Sequence, residues 1–141
     1  MGAPTELNNY NQKILRYEWE SLIFLIVEDL DFNYMFLAEA LKKTNVQILW
    51  ALNGQEAVDI CKSGIDISLI ITDIQMPVKD GYTAASEIHA LLPGIPIIAY
   101  TAYSYEGLRE RVLSAGAREC LMKPFDARQL LITIRKYLFI S

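Results

Sequence analysis

Positive charge is not in excess in this chain, and that shortage removes a whole class of partners. The formal net charge is −4 and the pI about 5.0. With no basic stripe, nothing would release counterions from a polyanion, so direct nucleic-acid binding is not expected. Cysteine is scarce too: Cys61 and Cys120 stand far apart, outside any CxxC or His/Cys set. Neither a zinc site nor a disulfide framework is therefore indicated, which suits a reducing compartment. No apolar run reaches bilayer-spanning length and the first residues lack a signal-peptide pattern, so a cytoplasmic domain without membrane contact is expected, even if its parent is anchored. Glycine is absent where a nucleotide site needs it. After the first apolar run comes Glu28-Asp29-Leu30-Asp31, whose charge would repel phosphates, which argues against a dinucleotide-binding fold. The one histidine, His89, sits mid-helix in Ser86-Glu87-Ile88-His89-Ala90 and reads as a surface residue.

What is present is a repeated pattern in 141 residues, a length that fits one domain with a self-supporting core. Residues 1–20 are polar, with Leu7, Tyr10, Ile14 and Tyr17 on one helical face. They read as a short amphipathic helix at most, which packs on the domain or frays, or else as the tail of a connector from another domain, ahead of a domain over residues 21–141. Leu22 to Val27 is apolar without alternation, the mark of a strand buried on both faces. Asp31 then reads as an N-cap, with Phe32, Phe36, Leu37, Ala40 and Leu41 facing inward. Asn45 stops that helix. Val46 to Ala51 is a short strand, and Asn53-Gly54-Gln55-Glu56 opens a helix as a capping box. Ile67 to Ile71 forms a third strand ending in Asp73 and a turn over Pro77 to Gly81. A helix from Thr83 turns Ala84, Ile88 and Leu91 inward. Ile95 to Tyr100 leads to Thr101; Tyr105 to Ala115 is helical, ended by Gly116. Glu119 to Met122 is the last strand, and Asp126 caps a helix with Leu130, Ile134 and Tyr137 inward. Trp19 and Trp50 are expected at the far ends of their strands.

Five βα units joined by right-handed crossovers give a doubly wound α/β fold, a five-stranded parallel sheet with helices on both faces, for which the order 2-1-3-4-5 is expected. In that order the switch point falls between strands one and three, where ligands bind beyond the carboxyl ends. Glu28, Asp29 and Asp73 then face one another across the crevice, with Thr101 and Lys123 at neighbouring strand ends. Three carboxylates at ~4 Å repel by about 4 kcal/mol a pair at an effective dielectric of ~20, so they call for a cation or a proton. All-oxygen ligation suits Mg²⁺, and Mn²⁺ fits as well. Lys123 and the Thr101 hydroxyl supply charge and a donor to an incoming group. Asp73 is left as nucleophile, a role carboxylates fill by forming aspartyl phosphates.

Val27-Glu28-Asp29, Asp73-Ile74-Gln75-Met76-Pro77, Asp80-Gly81, Thr101-Ala102 and Lys123-Pro124-Phe125 together resemble the receiver domain of two-component response regulators, over roughly residues 22–138. The resemblance implies a flavodoxin-like (βα)5 fold. It implies that Asp73 accepts a phosphoryl group from a partner histidine, and that Glu28, Asp29, Asp73 and the Gln75 backbone carbonyl hold Mg²⁺. Thr101 would be the switch hydroxyl, Lys123 the ion-pair partner of the phosphoryl group, and Lys123-Pro124 a cis peptide. Gln75 and Tyr103 resemble positions that tune the aspartyl-phosphate lifetime. Cys120 departs from the pattern, because an aromatic residue usually stands there and moves with the switch threonine. Cys120 itself reads as a small buried apolar residue.

The expected activity is receipt of a phosphoryl group in a phosphorelay, with the chain assisting its own phosphorylation and later hydrolysis while acting mainly as a signalling module. The partner implied is a histidine kinase or a histidine phosphotransfer protein. A homodimer through the face of the repeat's fourth and fifth helices is the other partnership the resemblance leaves open. The connector and the absence of an effector after the last helix favour a module of a hybrid histidine kinase; a stand-alone regulator is the alternative context. A haloacid-dehalogenase-like phosphatase would carry a second Asp where Gln75 stands, and a pseudo-receiver would have lost the acceptor or the acidic pair. Neither description fits.

Overall fold

The computed structural model describes residues 2–75, 80–102 and 105–141, residues 2–4 by backbone alone. Residues 76–79 of the expected turn, and Tyr103, lie outside the described residues. The elements run α1 (Gly2–Leu15), β1 (Ile23–Val27), α2 (Asp31–Leu41), a 3-10 turn over Lys42–Thr44, β2 (Gln47–Ala51) and α3 (Gly54–Lys62). They continue as β3 (Leu69–Asp73), α4 (Gly81–Leu91), β4 (Ile97–Thr101), α5 (Leu108–Ser114), β5 (Glu119–Met122) and α6 (Ala127–Leu138). The five strands are parallel in the order β2-β1-β3-β4-β5, the order expected.

Burial follows from that topology. β3 and β4 are buried at every residue, because helices cover both faces of the sheet. One core joins the sheet to α3, α4 and α5 through Ala57, Val58, Ile88 and Val112. The other joins it to α1, α2 and α6 through Ile14, Leu37, Leu41, Leu130 and Ile134. Helix starts are fixed by side chains that satisfy otherwise orphaned amides. Asn53 Oδ1 accepts from the Glu56 amide at 2.9 Å, Asp80 Oδ1 from Thr83 at 2.9 Å and Asp126 Oδ1 from Gln129 at 2.7 Å. Left-handed backbone at Asn45 and Gly116 ends the preceding helices as expected.

The N-terminal helix is docked on the domain. Tyr10 donates to the Leu138 carbonyl at 2.8 Å, and the Asn11 side chain donates to the Ile140 carbonyl (2.8 Å) and accepts from its amide (3.0 Å). Ile14 and Trp19 are buried in the second core. Tyr17 falls outside α1, in left-handed backbone with φ 59°. No helix among the described residues is long and apolar enough to cross a membrane.

Several local expectations are corrected. Asp31 is the first residue of α2 rather than its cap, which is Leu30, and no side chain closes that helix start. Phe32 is 83% exposed and Phe36 42%, whereas Leu37 and Leu41 are buried. Phe36 meets the Phe125 ring edge-on at 5.8 Å instead of entering the core, and Phe32 and Phe36 line a hollow beside Tyr100 and Phe125. Leu91, in the last turn of α4, is likewise exposed. α5 begins only at Leu108, because Gly107 takes a φ of 87° that ends the preceding turn. Cys120 is half-buried rather than fully buried.

Candidate functional site

Strand register brings the chemistry to one edge. Val27 pairs with both Ala51 and Thr72, Asp73 with Tyr100, and Thr101 with Met122, so residues that end or follow these strands share the carboxyl edge of the sheet. Glu28, Asp29 and Asp73 form an acidic cluster there, with one carboxylate oxygen from each within 4.8 Å of the others. Glu28 is fully buried and Asp73 nearly so. At ~4.8 Å and an effective dielectric of ~20, each ionised pair repels by about 3.5 kcal/mol. The protein relieves this partly by holding protons. Burial, then the Asp73 charge, pushes Glu28 up to about 7, and burial also raises Asp73 above the ordinary aspartate range.

Hydrogen bonds orient the cluster. Asp73 Oδ1 accepts from the Gln75 amide at 2.9 Å, and Glu28 Oε2 accepts from the Asp29 amide at 3.0 Å. Lys123 Nζ lies 3.8 Å from Asp73 Oδ2. Thr101 is buried at the end of β4, and its carbonyl accepts from the Lys123 amide at 2.9 Å. The Lys123-Pro124 peptide is cis. Gly81 lies against the end of β3: its amide donates to the Ile74 carbonyl at 3.0 Å, and a Cβ there would fall 2.5 Å from the Ile74 Cα. Glu28 Oε1 is buried with no hydrogen-bond partner among the described residues. A converging set of hard oxygens with one orphaned, buried lone-pair donor suits a small divalent cation.

Three contributors were missed in the sequence. Trp50, expected at the far end of its strand, lies at the site end of β2, where its indole donates to the Glu28 carbonyl at 2.8 Å and its ring stacks on Tyr34 at 3.9 Å. Asn33, in the first turns of α2, comes near enough to Glu28 to favour its charged form. Tyr100 is buried directly before Thr101, with the Lys123 ammonium 4.7 Å above its ring. A phenol at the end of the apolar run Ile97-Ile98-Ala99 was the signal, since its polar tip must find something to face.

The arrangement fixes a nearly buried carboxylate between an acidic cluster and a lysine, the equipment for taking up an anionic group once the carboxylate charge is balanced. A model of the response regulator receiver domain matches residues 24–135. The chain belongs to that family. It is therefore a receiver domain of two-component signalling. It is 41% identical over 111 residues to the transcriptional regulatory protein PdtaR of Mycobacterium tuberculosis, covering 78% of this chain and 53% of that protein. It is 37% identical over 123 residues to the hybrid signal transduction histidine kinase G of Dictyostelium discoideum, covering 84% of this chain but 4% of the kinase. The chain thus spans about half of the one relative's length and a small part of the other's. Among solved structures, a CheY-like receiver from Methanospirillum hungatei aligns with a TM-score of 0.78 at 26% identity, covering 83% of this chain and 93% of that one. The Saccharomyces cerevisiae receiver of Ssk1, solved with the histidine phosphotransfer protein Ypd1, aligns at 0.75 and 31% identity, covering 82% and 88%.

The departure at Cys120 has a physical counterpart. Beside the half-buried thiol, a hollow of about 200 Å³ opens between Tyr105, Leu108, Cys120 and Met122. Burial raises the Cys120 thiol pKa, so it does not have the thiolate character of a reactive cysteine. Tyr105 lines the hollow from its exposed side, its hydroxyl 2.7 Å from that of Tyr82, whose ring carries the Arg111 guanidinium at 3.7 Å.

Proposed function

We propose that Asp73 accepts a phosphoryl group from a phosphohistidine of a partner protein. An Asp73 oxygen attacks phosphorus, the P–N bond breaks as the P–O bond forms, and the imidazole leaves with its electron pair and takes up a proton. Water later attacks the aspartyl phosphate, releasing inorganic phosphate and restoring the carboxylate. The observation that carries this reading is the placement of Asp73 between the Glu28–Asp29 pair and Lys123, 3.8 Å away. Glu28, Asp29, Asp73 and the Gln75 carbonyl would hold Mg²⁺, with Mn²⁺ as a substitute, and the ion would supply positive charge against the anionic group. The Gln75 amide fixes the Asp73 carboxylate. Lys123 and the Thr101 hydroxyl take the phosphoryl oxygens, and Gln75 and Tyr103 set how readily water reaches the product.

The donor is a histidine kinase or a histidine phosphotransfer protein. Its histidine must arrive over the rim of the site, where Leu30, beside Asp29, and Phe32, at the start of α2, are exposed apolar residues suited to a protein surface. The parent is a hybrid histidine kinase with α1 as its connector, acting in the cytoplasm; in a stand-alone regulator the Asp73 chemistry is the same. To test the function, the chain is incubated with Mg²⁺ and acetyl phosphate and its intact mass followed. Wild type gains one acid-stable, base-labile phosphoryl group and Asp73→Asn gains none; equal labelling of the two would refute the assignment.

A further inference from the structure

Two buried polar atoms in this site have no hydrogen-bond partner among the described residues, and they belong to neighbouring side chains: Glu28 Oε1 and Tyr100 Oη. Tyr100 is 1% exposed, and its hydroxyl comes close enough to Glu28 for each group to bear on the other's ionisation, although no well-formed bond joins them. The same residue serves the other half of the site. Its ring lies under the Lys123 ammonium at 4.7 Å, and Phe125 braces that ring edge-on at 6.1 Å. Lys123 therefore has two attractors before any phosphoryl group arrives, the Tyr100 face and Asp73 Oδ2.

We propose that Tyr100 is a positioning residue for both halves of the acceptor site, its hydroxyl orienting Glu28 for the divalent cation and its ring holding Lys123 over the acceptor. This rests on the reading of the site given above. The hydroxyl and the ring make separable contributions, because Tyr100→Phe removes only the first and Tyr100→Leu removes both.

The test uses the full chain. Mg²⁺ affinity is measured by calorimetry, and the Lys123 ε-methylene protons, shielded by the ring beneath them, are followed by NMR without Mg²⁺. Tyr100→Phe should bind Mg²⁺ about tenfold more weakly, as loss of an outer-shell partner does. It should keep the wild-type unfolding midpoint without Mg²⁺ and the upfield Lys123 resonance. Tyr100→Leu should lose that upfield shift. Wild-type Mg²⁺ affinity in Tyr100→Phe, an equal fall of affinity and metal-free midpoint, or an unchanged Lys123 resonance in folded Tyr100→Leu would overturn the proposal alone. If wild type itself binds no Mg²⁺, the reading of the acceptor site falls with it.

Discussion

Glu28 makes the metal-free domain less stable as pH rises, which is the reverse of ordinary acid denaturation. Its carboxyl ordinarily titrates near 4.5 and is pushed up to about 7 in the folded chain, first by burial and then by Asp73. The groups facing it are Asp73 and Tyr100 from β3 and β4, Lys123 after β5 and Asn33 on α2; Lys123, Tyr100 and Asn33 act in the opposite sense, favouring the charged form. The folded state therefore keeps a proton that the unfolded chain has released, so stability falls as pH rises from about 4.5 to about 7. The two values correspond to a loss of about 2.5 kcal/mol between pH 5 and pH 8, and the raised Asp73 carboxyl adds to it with the same sign. Asp80 and Glu119 have lowered values, so their losses fall at acid pH, below this window. Urea unfolding at both pH values in EDTA measures the loss. Glu28→Gln should abolish most of it, and saturating Mg²⁺ should restore wild-type stability at pH 8 by about 2.7 kcal/mol at a hundred times the dissociation constant. An equal pH slope in wild type and Glu28→Gln would refute the reasoning.

Trp50 turns the site's state into an optical signal. Because its indole donates to the Glu28 carbonyl, Mg²⁺ titration should change tryptophan emission in wild type and not in Trp50→Phe. A residual change in that variant would assign the signal to Trp19 instead. Gly81→Ala should cost about 1–3 kcal/mol by overpacking, since its new methyl would meet the Ile74 backbone at 2.5 Å. Phosphorylation should slow as well, because Ile74 is the neighbour of Asp73; a wild-type urea midpoint and rate would show that the loop yields freely.

The parallel sheet and the carboxyl-edge site were legible because unalternating apolar runs such as Leu69-Ile70-Ile71 mark strands covered on both faces, and the runs before Glu28, Asp73 and Thr101 lead to chemical residues. Caps at Asn53, Asp80 and Asp126 are local chemistry, and two of the three were read directly from sequence. Periodicity reports the spacing of apolar residues and not which of them the packing covers. That is why Phe32 and Leu91, correctly spaced, are exposed at helix ends. Trp50 and Tyr100 escaped notice for a related reason: their rings look like core, and only the register reveals where the polar tips point. Cys120 was legible as a departure, while the hollow beside it depends on the packing of Leu108 and Met122.

The central claim is chemical and local, so it is tested by locating the phosphoryl group on the chain. After brief exposure to acetyl phosphate and Mg²⁺, borohydride reduces an aspartyl phosphate to homoserine, and peptide mass mapping finds the altered residue. The account predicts homoserine at position 73 alone, lost when EDTA replaces Mg²⁺. Homoserine at position 29 or 80 with Asp73 intact, or label on His89, would contradict it.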